Sequence, residues 1–338
     1  MKPDVYRLLQ RHLDKMPVPF PETSSGVEIS RDDLQSKLKG LVDKGGILSR
    51  PNPKEDPKYS KLPLVIGMFE QQVDSITKEL AEDFFKYKEE VFGEALLTAN
   101  TQQMRAIPVN ISIKPEFPVG SYDNARAIID NSPGPFAVAN CICRVARQKM
   151  GGSCKHSNII ETCFTLEDGA RLMMAKGVAR ELEREEIIQL ITRAEQAGMV
   201  LQPANSQSPE FICCCCGCCC EVLTAAKKFP NPAEFLTTNF YASIDPEKCT
   251  ACGECRELCQ MDALVPVNNH TEVLRSHCIG CGVCLNACAF DAISLLKTGK
   301  ETVPPKTSKE MYNKMILERY GVLGSLKIMG KAALGKKI

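Results

Sequence analysis

Two stretches near the C-terminus decide the reading: CTACGECRELCQMDAL at 249–264 and CIGCGVCLNACAFDAI at 278–293. Aligned, they match at every Cys, at the Gly after the second Cys and at the Asp-Ala pair, so residues 240–296 form a duplicated half-domain. Each copy reads Cys-x2-Cys-x2-Cys-x3-Cys: Cys249, Cys252, Cys255 and Cys259, then Cys278, Cys281, Cys284 and Cys288. A loop so spaced wraps three corners of an iron–sulfur cubane, while its fourth Cys leaves on a following helical turn, too far round to close the same cube. Zinc also uses CxxC pairs, but two pairs suffice for it, which leaves the third and fourth Cys of each copy unexplained.

These residues resemble the bacterial-type two-[4Fe–4S] ferredoxins, in which the fourth Cys ligates the other cluster. The resemblance implies one [4Fe–4S] site at Cys249, Cys252, Cys255 and Cys288, and a twin at Cys278, Cys281, Cys284 and Cys259. Gln260 and Ala289 stand where that family usually has Pro, a departure that touches loop rigidity rather than ligation. His277, beside a complete cysteine set, reads as a surface residue. With three basic and seven acidic side chains, 240–296 is acidic, which suits a partner carrying a basic docking patch.

Eleven further cysteines lie upstream: Cys141, Cys143, Cys154 and Cys163, then seven in the eight positions Cys213–Cys220. Strand neighbours point to opposite faces, so consecutive thiols cannot all meet one ion. The run therefore serves a polynuclear cluster, two sites at once, or one site plus spare thiols. The stretches CICR, GGSCKHSNIIETC and FICCCCGCCCEVLTAAKKF resemble a little-characterised group of prokaryotic 4Fe–4S dicluster proteins with a winged-helix-like N-terminus and a Cys-rich middle domain. The position of Cys214 is usually Asn in that group, which marks Cys214 as dispensable. A third metal site is expected among Cys141, Cys143, Cys154, Cys163, Cys213, Cys215, Cys216, Cys218, Cys219 and Cys220. An additional Fe–S cluster, a Zn site around Cys154 and His156, and metal-free redox thiols are the competing readings.

The expected fold is α+β, or mixed α/β, in four parts: a winged-helix-like unit at 1–103, a Cys-rich domain at 104–236, a two-[4Fe–4S] ferredoxin fold at 237–297 and a basic tail at 298–338. Ser30-x-x-Asp33 caps a helix that Gly45-Gly46 stops. Tyr59–Ile66 reads as a strand, and Ile76, Leu80, Phe84, Tyr87 and Val91 mark a longer amphipathic helix. In the middle part, Ile107, Val109, Ile111 and Ile113 alternate as in a strand, a helix starts from Ser121, and a second strand runs from Phe136 to Cys143. Thr165 then caps a helix ending near Gly177, and a further helix covers Glu183–Ala197. Short strands at Met199–Leu201 and Glu210–Ile212 and a helix from Glu221 put the Cys run at a strand-to-helix junction. Met173-Met174 reads as core packing.

Lys plus Arg is 42 against 41 for Asp plus Glu, which excludes a globally basic nucleic-acid binder. Helix 31–44 mixes Arg31, Lys37, Lys39 and Lys44 with Asp32, Asp33 and Asp43, so protein docking is favoured over DNA. No dinucleotide fingerprint, P-loop, zincin motif or nucleophile elbow occurs, and no nucleotide cofactor site is expected. MKPDVYRLLQRHLDK lacks a secretory apolar core, and Cys-rich chains of reducing compartments bind metal rather than form disulfides, so a cytoplasmic protein is expected. Residues 297–338 have ten Lys or Arg against three Glu; the tail reads as a helix packed on the body, with contact to a membrane surface or an acidic partner as the alternative. Together these readings describe an oxygen-sensitive electron carrier, or a subunit of an oxidoreductase of anaerobic metabolism, with redox-responsive regulation and catalysis at the Cys-rich centre as alternatives.

Overall fold

In the computed structural model, which describes residues 30–50, 57–113, 120–299 and 301–333, the cysteine run is the end of a strand. Strands β3 (Phe136–Asn140), β4 (Glu161–Leu166), β5 (Ala179–Leu182), β6 (Val200–Pro203) and β7 (Phe211–Cys215) form one sheet in the order β5-β3-β4-β7-β6. Every pairing in it is antiparallel. Successive cross-strand rows point to opposite faces. The row Val138, Phe164, Ile212 packs with Ile187 and Ile191 of helix Arg184–Gln196 in the main core. The next row, Ala139, Cys163, Cys213, Gln202, lies on the other face, where Ala139 and Cys163 cluster with Met173 of helix Glu167–Ala175. One face is thus apolar and the other carries thiols.

Upstream, helix Arg31–Asp43 is capped by Ser30, whose Oγ accepts from the Asp33 amide at 3.1 Å, and Gly45 ends it at φ +70. A hairpin of β1 (Ile47–Arg50) and β2 (Lys58–Lys61) follows. The expected strand to Ile66 stops at Lys61; the chain turns through Leu64–Met68, and Phe69 stacks on Phe84 at 3.6 Å. Helix Lys78–Tyr87 continues through a wider turn, Lys88–Phe92, into Gly93–Leu97. Its apolar side meets Ile142 and Ala146 of helix Ile142–Lys149 in a second core. Residues 1–29, where the winged-helix resemblance begins, residues 51–56 and the basic end 334–338 lie outside the described residues.

Three other local expectations are corrected. Residues 107–113 are not a strand: the Ile107 amide donates to Leu201 O, Pro108 has no amide to give, and the Asn110 amide donates to the Glu195 carboxylate, so Asn110–Ser112 turns. The strand expected to reach Cys143 ends at Asn140, because Cys141 becomes the cap position of helix Ile142–Lys149. Thr165 caps nothing; it sits inside β4, and the helix begins at Glu167.

In the repeat, β8 (Phe240–Ile244) pairs with β11 (Ile293–Lys297), and β9 (Leu264–Val267) with β10 (His270–Val273), all antiparallel. The half-domains supply matching turns, Glu254–Leu258 and Val283–Ala287, each entered through a left-handed glycine, Gly253 or Gly282. Met261, Ile279 and Val283 are part of the main core, so the repeat is packed on the sheet domain. Helical segment Ser308–Ala333, broken at Gly321 with φ +68, returns across the body through buried Met311, a hydrogen bond from Gln103 to the Tyr312 hydroxyl, and Thr101 to Glu318. Among the described residues no helix is long and apolar enough to cross a membrane. The chain is α+β.

Candidate metal centres

Each repeat loop gathers three thiols, and its fourth lies with the other copy. Cys249, Cys252 and Cys255 line one cavity together with Cys288. Cys284 feels the charges of Cys281, Cys259 and Cys278. The backbone adds sulfur-directed amides in matching pairs. Ala263 N donates to Cys259 Sγ at 3.2 Å and Ala292 N to Cys288 Sγ at 3.3 Å. Likewise Thr271 N donates to Cys249 Sγ at 3.4 Å and Ala242 N to Cys278 Sγ at 3.3 Å. Burial pushes the Cys281 thiol up to about 12 and raises Cys255, Cys259 and Cys284, so ionising these sulfurs needs a cationic partner. Four sulfurs facing one space with amides aimed at them fit an iron–sulfur group. Cys252 is the exposed member, whereas Cys281 packs against the main core.

The central thiols fall into two adjoining groups. In the first, Cys154 Sγ lies 3.6 Å from Cys216 Sγ and 3.7 Å from Cys218 Sγ, and Cys218 lies 3.6 Å from both Cys216 and Cys219. His156 is not a member. Hydrogen bonding from Cys219, with Arg144 beside it, holds Cys216 down at about 4, and the same bond raises Cys219. Arg144 is 3% exposed. Burial opposes its charge, but Cys216, Cys141 and Cys154 hold its pKa above the ordinary value. It is a buried cation matched to thiolates, and the sequence reading passed over it although it stands in the CICR stretch.

The second group, Cys141, Cys143, Cys163, Cys213, Cys215 and Cys220, lines a cavity with Val65, Phe69 and Glu70, and Cys216 and Cys219 of the first group border the same cavity. Hydrogen bonds from Cys143 to Cys141, and from Cys213 and Cys220 to Cys215, lower Cys141 and Cys215 and raise Cys143 and Cys220. Cys213 is raised by its bonds to Cys163 and Cys215. Cys214 also borders this space, but its place in the alternation is with Ile212 and its cross-strand partner is Leu201. Burial, with the charges of Cys215 and Glu195 added, pushes its thiol well up. Glu70 had no signal in the sequence; burial raises its carboxyl to about 7.

Gln260 joins the two regions. Its Oε1 accepts from the Gly217 amide at 2.7 Å and its Nε2 donates to Gly198 O at 2.8 Å. The residue that stands in place of the ferredoxin Pro is therefore a buried strut between Cys259 and the thiol-rich turn.

Residues 241–289 match the family model of the 4Fe-4S dicluster domain. No curated protein matches the chain. The chain is an iron–sulfur protein carrying a ferredoxin-like 4Fe–4S dicluster domain and a second, separate thiol-rich region.

Proposed function

We propose that this protein relays single electrons between a partner protein and its own thiol-rich centre. Two [4Fe–4S] groups would be held by Cys249, Cys252, Cys255 and Cys288 and by Cys278, Cys281, Cys284 and Cys259. When bound, such groups supply one-electron exchange at a potential set by thiolates, amide–sulfur bonds and burial. The observation that carries the reading is the polarity of the repeat: Cys252 opens to the surface, while Cys281 and Gln260 face the sheet domain. At the open end, Phe290 is 51% exposed and lines the cavity that Cys252 lines, and Glu247, Glu254 and Glu257 of the first half-domain are also exposed. That surface suits a partner with a basic rim and an apolar centre. At the inner end, Cys141, Cys143, Cys163, Cys213, Cys215 and Cys220, among the thiols that line the cavity, would hold a third metal–sulfur group. The mixed charges of helix Arg31–Asp43, where Lys39 pairs with Asp43, support protein docking rather than DNA binding.

Iron and acid-labile sulfide analysis with EPR on anaerobically purified full-length protein tests this. The expectation is at least about eight iron atoms per chain, two cubanes' worth, with EPR signals on reduction. Zinc in place of iron at the repeat, or a reduced sample silent in EPR after reconstitution with iron and sulfide, overturns it.

A further inference from the structure

The sulfur spacings separate two kinds of site. With a metal–thiolate bond of about 2.3 Å, the sulfurs of a tetrahedral ion stand about 3.8 Å apart. Cys154, Cys216, Cys218 and Cys219 show 3.6 to 3.7 Å on four of their edges, and all four Sγ atoms lie within 4.8 Å of one another. Thiolates on a cubane stand farther apart, because each caps a different iron. Among the described residues the repeat cysteines are not drawn this close, although they belong to the same chain and share the same amide–sulfur contacts.

We propose that Cys154, Cys216, Cys218 and Cys219 bind one divalent ion of the zinc type in a closed tetrathiolate site, distinct from both repeat sites and bordering the cavity of the other six thiols through Cys216 and Cys219. The protons of those sulfurs that are still thiols leave to solvent as the ion enters. The resulting dianionic shell meets Arg144, which lies beside Cys216 and Cys154, and the Lys155 amide, which donates to Cys218 Sγ at 3.5 Å. Four sulfurs fill the coordination sphere and leave no open position, so the ion is structural. Its position gives it a task. It ties the loop carrying Cys154 to the turn Cys216–Cys219, and that turn contains Gly217, whose amide holds Gln260. The ion thereby fixes the seam between the thiol-rich sheet and the loop that carries Cys259. This proposal rests on sulfur geometry and not on the electron-relay reading.

Metal analysis and zinc-edge X-ray absorption on the full-length protein, with its iron clusters in place, decide it. Wild type is expected to carry one zinc per chain with four sulfur neighbours at about 2.3 Å. C154S and C218S are each expected to lose that zinc while iron and sulfide stay constant, and C214S to keep it. A single sulfide-free iron lost by the same two variants would identify the ion as ferrous and leave the one-ion site standing. Loss of iron together with sulfide from C154S or C218S would mean a cluster at these thiols and overturn the proposal, as would oxygen or nitrogen neighbours on the zinc. Should both variants fail to fold, the absorption spectrum of wild type decides alone. Loss of the reduced-cluster EPR signals with zinc retained would instead sink the relay and leave this site intact.

Discussion

Gly217 and Gln260 are in direct contact across the seam: the Gly217 amide donates to Gln260 Oε1 at 2.7 Å, and a β-carbon on Gly217 would stand 1.9 Å from the Gln260 carbonyl oxygen. The close approach is backbone on backbone, so no side-chain rotation relieves it. Gly217→Ala is expected to cost about 1–3 kcal/mol by overpacking. Gln260→Leu is expected to cost a similar amount, because it strands the Gly217 amide and the Gly198 carbonyl in a buried place. Denaturant titration under anaerobic conditions measures both. Midpoints unchanged from wild type would show that the strut bears no load.

Cys214 and Cys252 are expected to behave oppositely. Cys214 is 1% exposed in the apolar core, away from the face that carries Cys163 and Cys213. Cys214→Ser should leave iron and zinc content unchanged while costing about 1–3 kcal/mol for an unsatisfied hydroxyl. Cys252→Ser should lower iron content with little change in the rest of the fold, since its side chain is at the surface. Equal iron loss in the two variants would refute the division of labour.

Much of this arrangement was legible because local periods and spacings carried it. The alternation of β7 separates Cys213 and Cys215 from Cys214, and the strand-to-helix junction at Cys216–Cys220 follows from a short apolar strand meeting the helical stretch at Glu221. The partition of the thiols was not legible, since Cys154 reaches Cys216 across 62 residues and only the tertiary arrangement brings the two together. The apolar alternation at 107–113 misled for a related reason. Ile107 pairs with Leu201, Val109 donates to Cys281, and Asn110 turns towards Glu195, so burial at three different partners imitates the period of one strand. Gln260 was visible as a departure from the family pattern, but its meaning lay in Gly217, which no local rule connects to it.

Glu70 gives the stability a pH dependence. Its carboxyl is raised from 4.5 to about 7 by burial, against the Gly67 amide that donates to it at 2.5 Å. A folded value above the unfolded one means that the stabilising contribution is full below 4.5 and is lost as pH rises through 7. Between pH 6 and pH 8 this group alone should remove about 1 kcal/mol. Glu70→Gln keeps an acceptor for Gly67 and carries no charge, so the variant should lose that slope and gain on wild type at pH 8. Unfolding free energies of the two proteins at both pH values check this; parallel profiles would dismiss Glu70 as the titrating group.

Lys88 and Glu221 form an ion pair in which both side chains are 4% exposed, and Lys88 also donates to Thr224 at 3.3 Å. The pair fastens the wide turn Lys88–Phe92 to the first residue of helix Glu221–Ala226, immediately after Cys220. Removing one partner strands a buried charge, so Lys88→Met is expected to cost about 3–5 kcal/mol. Replacing both, as Lys88→Met with Glu221→Leu, removes the stranded anion and should recover most of that loss, because attraction between buried ions roughly offsets their desolvation. The comparison separates two roles. If the pair only supplies stability, the double variant should regain both its denaturant midpoint and its metal content. If Glu221 also orients Cys220 towards the cavity, the midpoint should return while iron bound outside the repeat does not. Equal midpoints for the single and double variants would show that the cost comes from lost packing around Lys88 and not from an unpaired Glu221.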